Sequence, residues 1–172
     1  TESVMELDLG TQRNLELVTT IQEGRREGTL FGVLDQTRTS PGARTLRTWL
    51  SQPLVDVDRI EARLDAVQEF LESTAARDEA REALRKVGDL ERLMSKICCN
   101  RANPREIVAL RHSLEAVLPL REALGTLMAD LLVRARDHGM PDLTELINLI
   151  TQTLEDDPPA QVSDGGYIRV GY

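Results

Sequence analysis

Two lysines, two histidines and two cysteines are the residues of this 172-residue chain whose chemistry spacing tests most directly. A phosphate-cradling loop needs closely set glycines whose N–H groups turn inward, then a lysine and a hydroxyl. Lys86 and Lys96 are the only lysines, and neither follows a glycine; Gly-x-Gly-x-x-Gly does not occur either. His112 and His138 lie too far apart to serve one metal from one helical face. His112 reads as a surface or boundary residue. His138 stands beside Gly139 at a helix end, where a cation favours the dipole. Cys98 and Cys99 are adjacent, the spacing of neither a zinc knuckle nor a redox pair, and are expected as packed or half-exposed thiols. Carboxylates interleave with arginines on outward faces, which suits weak surface pairing rather than general acid–base work. The residues therefore predict a scaffold without catalytic, cofactor-binding or metal-ligating side chains.

Composition agrees with that reading. A formal net charge of −8 denies the whole chain the basic signature of a nucleic-acid binder, and 3% aromatics leave little for base stacking. Hydrophobic residues at 41% and charged residues at 29% suit amphipathic helices. No apolar run approaches the ~18 residues of a membrane span. Thr1-Glu2-Ser3-Val4-Met5 lacks the features of a signal peptide, so a cytoplasmic location is expected.

The elements that position these residues are mostly helical. Val4 to Asp8 alternates and predicts a short strand, followed by a helix near 9–17. A helix from Thr29 breaks at 36–39. Ser40 and Pro41 then read as the cap and first residue of a helix ended by Pro53, with Leu46, Trp49 and Leu50 on one face and Trp49 as a core anchor. Asp56 caps a helix whose apolar stripe is Ile60, Leu64, Val67, Phe70 and Leu71, with Glu61, Arg63, Asp65 and Glu69 on a solvated face. Gly88 is expected as a left-handed helix terminator, and Asp89 as the cap of a helix to Cys99. Asn103-Pro104-Arg105-Glu106 spells a capping box. Pro119 should kink or split the helix behind it, which resumes from Leu120 to about Arg136. A last helix runs to about Leu154. Beyond Pro158-Pro159, Asp164-Gly165-Gly166 between Gln161-Val162 and Tyr167 to Val170 predicts a hairpin, one that a larger structure would continue.

The stretch from Leu34 through Asp35-Gln36-Thr37-Arg38-Thr39-Ser40-Pro41-Gly42-Ala43-Arg44 to Trp49-Leu50, then Gln52-Pro53-Leu54, resembles the core-domain signature of the MutS family of DNA mismatch-repair proteins. Leu7-Asp8 with Thr11 and Asn14 to Leu17 upstream, and Val87-Gly88-Asp89-Leu90-Glu91-Arg92 and Asp164 to Ile168 downstream, match in order. The resemblance implies a mainly α fold: a multi-helix core, or lever, bundle with a short N-terminal strand and a C-terminal β-hairpin. Residues 1–8 would lead in from a connector, 9–157 would form the helical core, and 158–172 would lead to a clamp domain.

It also implies function. The parent would bind mismatched DNA as a dimer with a second MutS subunit, hydrolyse ATP with Mg in a domain outside this segment, and recruit MutL. This segment would be no enzyme itself, but would couple the clamp to the ATPase alongside the connector. The matched positions would be structural: Asp35, Thr37 and Thr39 shaping a break between helices, Gly42 allowing close approach, Trp49 anchoring the core, and Pro53, Gly88 and Asp89 bounding helices. Arg44 and Arg92 would pair with acids or partner-domain carbonyls. A recombination-linked MutS paralogue and a freestanding helical interaction module are the alternatives.

Overall fold

The computed structural model describes residues 4–172, and among these the regular structure is helical. In chain order the helices are α1 (Leu9–Asn14), α2 (Leu30–Leu34), α3 (Ser40–Ser51), α4 (Val57–Glu72), α5 (Thr74–Arg85), α6 (Leu90–Cys98), α7 (Pro104–Glu115), α8 (Val117–Ala123), α9 (Asp130–His138) and α10 (Thr144–Thr153), followed by a 3-10 turn at Val162–Asp164. The chain divides into two compact units, Thr1–Gln68 and Glu69–Tyr172.

The first unit is stitched by caps and turns more than by a core. Asp8 caps α1, accepting from Thr11 N at 2.9 Å and Thr11 Oγ1 at 2.7 Å. The helix stops short of the expected Leu17 because Glu16 adopts φ 47°, reversing the chain. Leu30 N and Phe31 N then donate to the carbonyls of Glu16 and Leu17 at 3.3 and 2.9 Å. Leu17, Phe31 and Ala66 are buried, as is Thr29, whose hydroxyl accepts from Gly32 N at 3.0 Å and donates to Arg26 O at 2.6 Å.

The second unit holds the larger core. Leu127, 1% exposed, packs with Ala76 and Leu124, flanked by Phe70, Leu132 and Met140. Along α5, Ala76, Ala80 and Ala83 recur at helical spacing and are buried, and their small side chains let α5 lie close on α8. Helix α7 is the hub, touching α6, α8 and α10. Leu93, Leu110 and Leu114 form one buried group beside it, and Val108, Ile150 and Leu154 another. Asn103 and Glu106 close the capping box at its start. Its end falls at Ala116, because Pro119 has no N–H and its ring would strike the carbonyl of Glu115 in a continuous rod.

Several expectations need correction. No strand forms among the described residues: the N-terminal strand reduces to one antiparallel bridge, Val4 to Leu54, with Met5 N donating to Pro53 O at 2.7 Å. Residues 1–3, which precede that expected strand, lie outside the described residues. The C-terminal hairpin is also absent among the described residues. Val162–Asp164 coils instead of extending, and Gly165 and Gly166 carry φ of 67° and 68°. Ile168 bridges Leu154 rather than the Gln161–Val162 arm, with Glu155 N to Tyr167 O at 3.0 Å and Arg169 N to Thr153 O at 2.9 Å. The end of α10 thus supplies the edge that a hairpin partner would have offered. The helix expected from Leu120 to Arg136 is two, since α8 ends at Ala123 and α9 begins at Asp130.

Helix α4 follows the expected sides in part: Ile60 and Phe70 are partly covered and Glu61 and Asp65 are exposed, but the other named positions depart from it. Leu64, Val67 and Leu71 are exposed, whereas Ala66 is buried and Arg63, Glu69 and Phe70 are partly covered. The expected solvated face therefore carries side chains that the fold uses.

Candidate functional site

The break between α2 and α3 is a built joint. Asp35 Oδ1 accepts from Thr37 N at 3.0 Å and Thr37 Oγ1 at 2.6 Å, and Oδ2 from Arg26 Nη2 at 2.6 Å. The Thr37 hydroxyl, with smaller help from the Thr37 amide and Arg26, holds the Asp35 carboxyl below its ordinary value. Arg26 also lies over the Phe31 ring, 4.6 Å from its centroid, and so closes the joint. Two residues on, Thr39 caps α3, accepting from Gly42 N at 3.0 Å. Ser40 and Pro41 are thus the first two helical residues, and the helix begins one residue earlier than expected, because it is the Thr39 hydroxyl that reaches the orphan amide. A Cβ on Gly42 would stand 2.9 Å from Thr39 Oγ1, which explains the glycine.

Trp49 is not a core anchor. It is 42% exposed, and α3 has no fully buried residue. The Arg63 guanidinium stacks 3.6 Å from the Trp49 ring centroid instead, tying α3 to the first half of α4. Burial, with neighbouring Arg59, pulls the Arg63 pKa down. Arg44 is exposed, its carbonyl accepting from Thr48 Oγ1 at 3.1 Å. Pro53 lies just past the last residue of α3 and receives the Met5 amide.

Gly88 and Asp89 connect α5 to α6. Gly88 does not take a left-handed φ; its role is close approach, for its N–H donates to buried Ser113 Oγ at 2.9 Å and a Cβ would stand 3.1 Å from that oxygen. Asp89 caps α6, accepting from Arg92 N at 3.2 Å. Lys96 of α6 pairs with Glu106 of α7, and with the Asn103 amide holds the Glu106 carboxyl low. Cys98 and Cys99 are exposed, further out than expected.

Three long-range devices gave no sequence signal. Glu69 grips the start of α9: its carboxylate oxygens accept from Met128 N at 2.6 Å and Ala129 N at 2.7 Å. Arg136 serves the end of α8, Nη1 donating to the carbonyls of Leu124, Gly125 and Leu127 at 3.2–3.4 Å while the guanidinium pairs with Asp137. Arg111, 5% exposed, reaches from α7 to Asp156 Oδ1 at 2.8 Å, and Arg169 binds Asp156 Oδ2 at 2.8 Å and Leu154 O at 2.7 Å. Arg111 Nε lies 3.4 Å from Glu115, in ion-pair range but off the hydrogen-bonding line. Arg105 Nε adds a bond to the carbonyl of buried Pro158 at 2.8 Å.

Chemically, this arrangement fixes angles between helices. Among the described residues, no three of His, Cys, Asp or Glu converge as metal ligands, and no helix is long and apolar enough to cross a membrane.

Comparison with known proteins gives the relatives of this architecture. The family model for MutS domain III matches residues 10–170. The DNA mismatch repair protein MutS of Acetivibrio thermocellus is 45% identical over 171 residues, covering 99% of this chain and 20% of that protein. That of Salinibacter ruber is 44% identical over 166 residues, 96% of this chain and 18% of the relative. That of a Thermus thermophilus strain is 41% identical over 161 residues, 94% of this chain and 18% of the relative. The chain thus spans about a fifth of the length of the curated relatives it matches.

Proposed function

The chain belongs to the MutS family as its domain III, and from that premise we propose that it works as a conformational relay inside a mismatch-repair protein, positioning a DNA clamp and passing state between clamp and ATPase. ATP and Mg would be bound elsewhere in such a protein, beside the connector, a second MutS subunit and MutL as partners, in the cytoplasm. The observation that best supports a relay is the grip of Glu69 on Met128 and Ala129, which makes the α8–α9 corner move with the end of α4 rather than as a free loop. A relay needs such stiff joints, since coupling travels through packed elements and hydrogen-bonded junctions with discrete arrangements.

The test is a chimera in which this chain replaces its counterpart in the Acetivibrio thermocellus MutS. With Glu69→Ala, mismatch affinity without nucleotide should hold, while the response of ATP turnover to mismatched DNA weakens. An unchanged response would remove the relay reading.

A further inference from the structure

Asp164-Gly165 is the one place in the chain where a glycine follows an aspartate or an asparagine. The pair closes the 3-10 turn Val162–Asp164, and residues 161–166 are all exposed. Gly165 and Gly166 carry φ of 67° and 68°, and a Cβ on either would meet nothing within 4 Å. The Gly165 amide donates to Val162 O at 3.3 Å, and the Ser163 hydroxyl stands 3.4 Å from Asp164 Oδ1. Both are longer than a firm hydrogen bond, so neither the amide nor the carboxyl is tightly held. Other aspartates are engaged. Asp8, Asp35, Asp142 and Asp156 each accept a bond of 2.6–2.8 Å, and each is followed by a residue larger than glycine.

We propose that Asp164 is a site of spontaneous covalent modification, isomerising to isoaspartate in the folded chain. The Gly165 nitrogen attacks Cγ of the protonated Asp164 carboxyl. The N–Cγ bond forms as the bond from Cγ to the hydroxyl breaks, and the hydroxyl leaves with the amide proton as water. The product is a five-membered succinimide. Water then adds back at one of its two carbonyls. Breaking the Cγ–N bond restores aspartate, whereas breaking the bond from the Asp164 backbone carbonyl to nitrogen leaves the chain running through the side chain, with a free α-carboxylate. One water is lost and one regained, so neither an oxidant nor a cofactor is needed. Glycine at 165 is what opens the path, because any Cβ there would crowd the attacking nitrogen. The fold tolerates the product, since exposed loop tips absorb such changes. Downstream, Tyr167 O accepts from Glu155 N at 3.0 Å, while Arg169 donates from N to Thr153 O at 2.9 Å and from Nε to Leu154 O at 2.7 Å. These bonds hold the tail while one extra carbon enters the backbone ahead of them. The proposal is independent of the relay reading.

The experiment ages the 172-residue chain in mildly acidic buffer, with circular dichroism confirming that it stays folded. Isoaspartate is counted by transfer of a labelled methyl group from an isoaspartyl carboxyl methyltransferase, and placed by peptide mapping. A synthetic peptide of residues 159–169 is aged beside it as the unrestrained reference. The folded chain should gain isoaspartate at Asp164, at close to the rate of the peptide, with the other aspartates unlabelled. Asp164→Glu, which would have to close a six-membered ring, should lose the label. Asp164→Asn reaches the same succinimide by releasing ammonia and should gain isoaspartate faster, which keeps the test valid if the Glu variant misfolds. The proposal is overturned if the peptide reacts and the folded chain does not, if other aspartates of the folded chain label as much as Asp164, or if Asp164→Glu labels as the wild type does.

Discussion

Glu69 and Ala129 stand 60 residues apart in sequence, yet the Glu69 carboxylate holds the backbone amides that lead into the helix beginning next to Ala129. Helix α9 lacks a side-chain cap of its own, and both Glu69 oxygens accept backbone N–H groups at its start. A carboxylate here also meets the positive end of the helix dipole.

Glu69→Ala should therefore destabilise the second unit by about 2 kcal/mol, the scale of a lost charge-assisted cap. Glu69→Gln keeps one acceptor oxygen but places an amide N–H₂ against a backbone donor, so it should recover only part of the loss. Urea unfolding with unchanged m-values is the measurement. An alanine variant as stable as the wild type would show the grip to be incidental.

Caps made within three or four residues were legible in the sequence. Asn103 with Glu106, Asp89 before α6 and Asp56 before α4 all sit where local spacing put them. Glu69, Arg63 and Arg111 were not legible, because a charged residue at helical spacing reads as solvated until a distant backbone group or ring is known to face it. Trp49 failed for the opposite reason: its large apolar area argued for burial, but a guanidinium can cover a ring while leaving part of it wet. The tail failed because Ile168 found its edge at Leu154, a contact that turn residues alone do not encode. The signature from Asp35 to Pro53 was recognisable as family pattern before its geometry was known, and the geometry supplies reasons for Asp35, Thr37, Thr39 and Gly42.

Thr39 and Gly42 should show coupled energetics. Thr39→Ala removes the cap of α3, at about 1 kcal/mol. Gly42→Ala in the wild type sets a methyl 2.9 Å from Thr39 Oγ1 and should cost a similar amount by displacing that hydroxyl. With Thr39→Ala already present, the obstructing oxygen is gone, and alanine's better helix propensity should make Gly42→Ala stabilising by about 0.5 kcal/mol. A double-mutant cycle measures the change of sign. Additive effects would remove this account of the glycine.

Trp49 is the sole tryptophan, so it reports on its own stacking. Arg63→Ala uncovers the ring face that the guanidinium shields. Emission should shift to the red and acrylamide quenching should rise, while stability falls by only about 0.5–1 kcal/mol, as for exposed cation–π pairs. Arg63→Lys should restore part of the shielding. Identical spectra for wild type and Arg63→Ala would mean that the pair is not populated in solution.

Asp156 makes the tail sensitive to acid. Its carboxyl is held below its ordinary value of 3.8, first by the hydrogen bond from Arg111 and then by Arg169. A folded-state value lower than the unfolded one means that the ionised form is bound more tightly in the native chain. The contribution is complete above the ordinary aspartate range and fades as pH falls through the lowered value. Hydrogen exchange across 154–169 should accordingly be slow and insensitive to this group near neutral pH. Once corrected for intrinsic rates, protection should drop selectively in strongly acidic solution. Asp156→Asn should show that reduced protection already at neutral pH, because buried Arg111 then faces an amide in place of a charge. Since Arg111 and Arg169 share one carboxylate, Arg169→Ala should loosen the same segment less than Asp156→Asn does. Equal protection in Asp156→Asn and wild type at neutral pH would show that the bridge at Leu154 and the bond from Arg105 to Pro158 hold the tail without it.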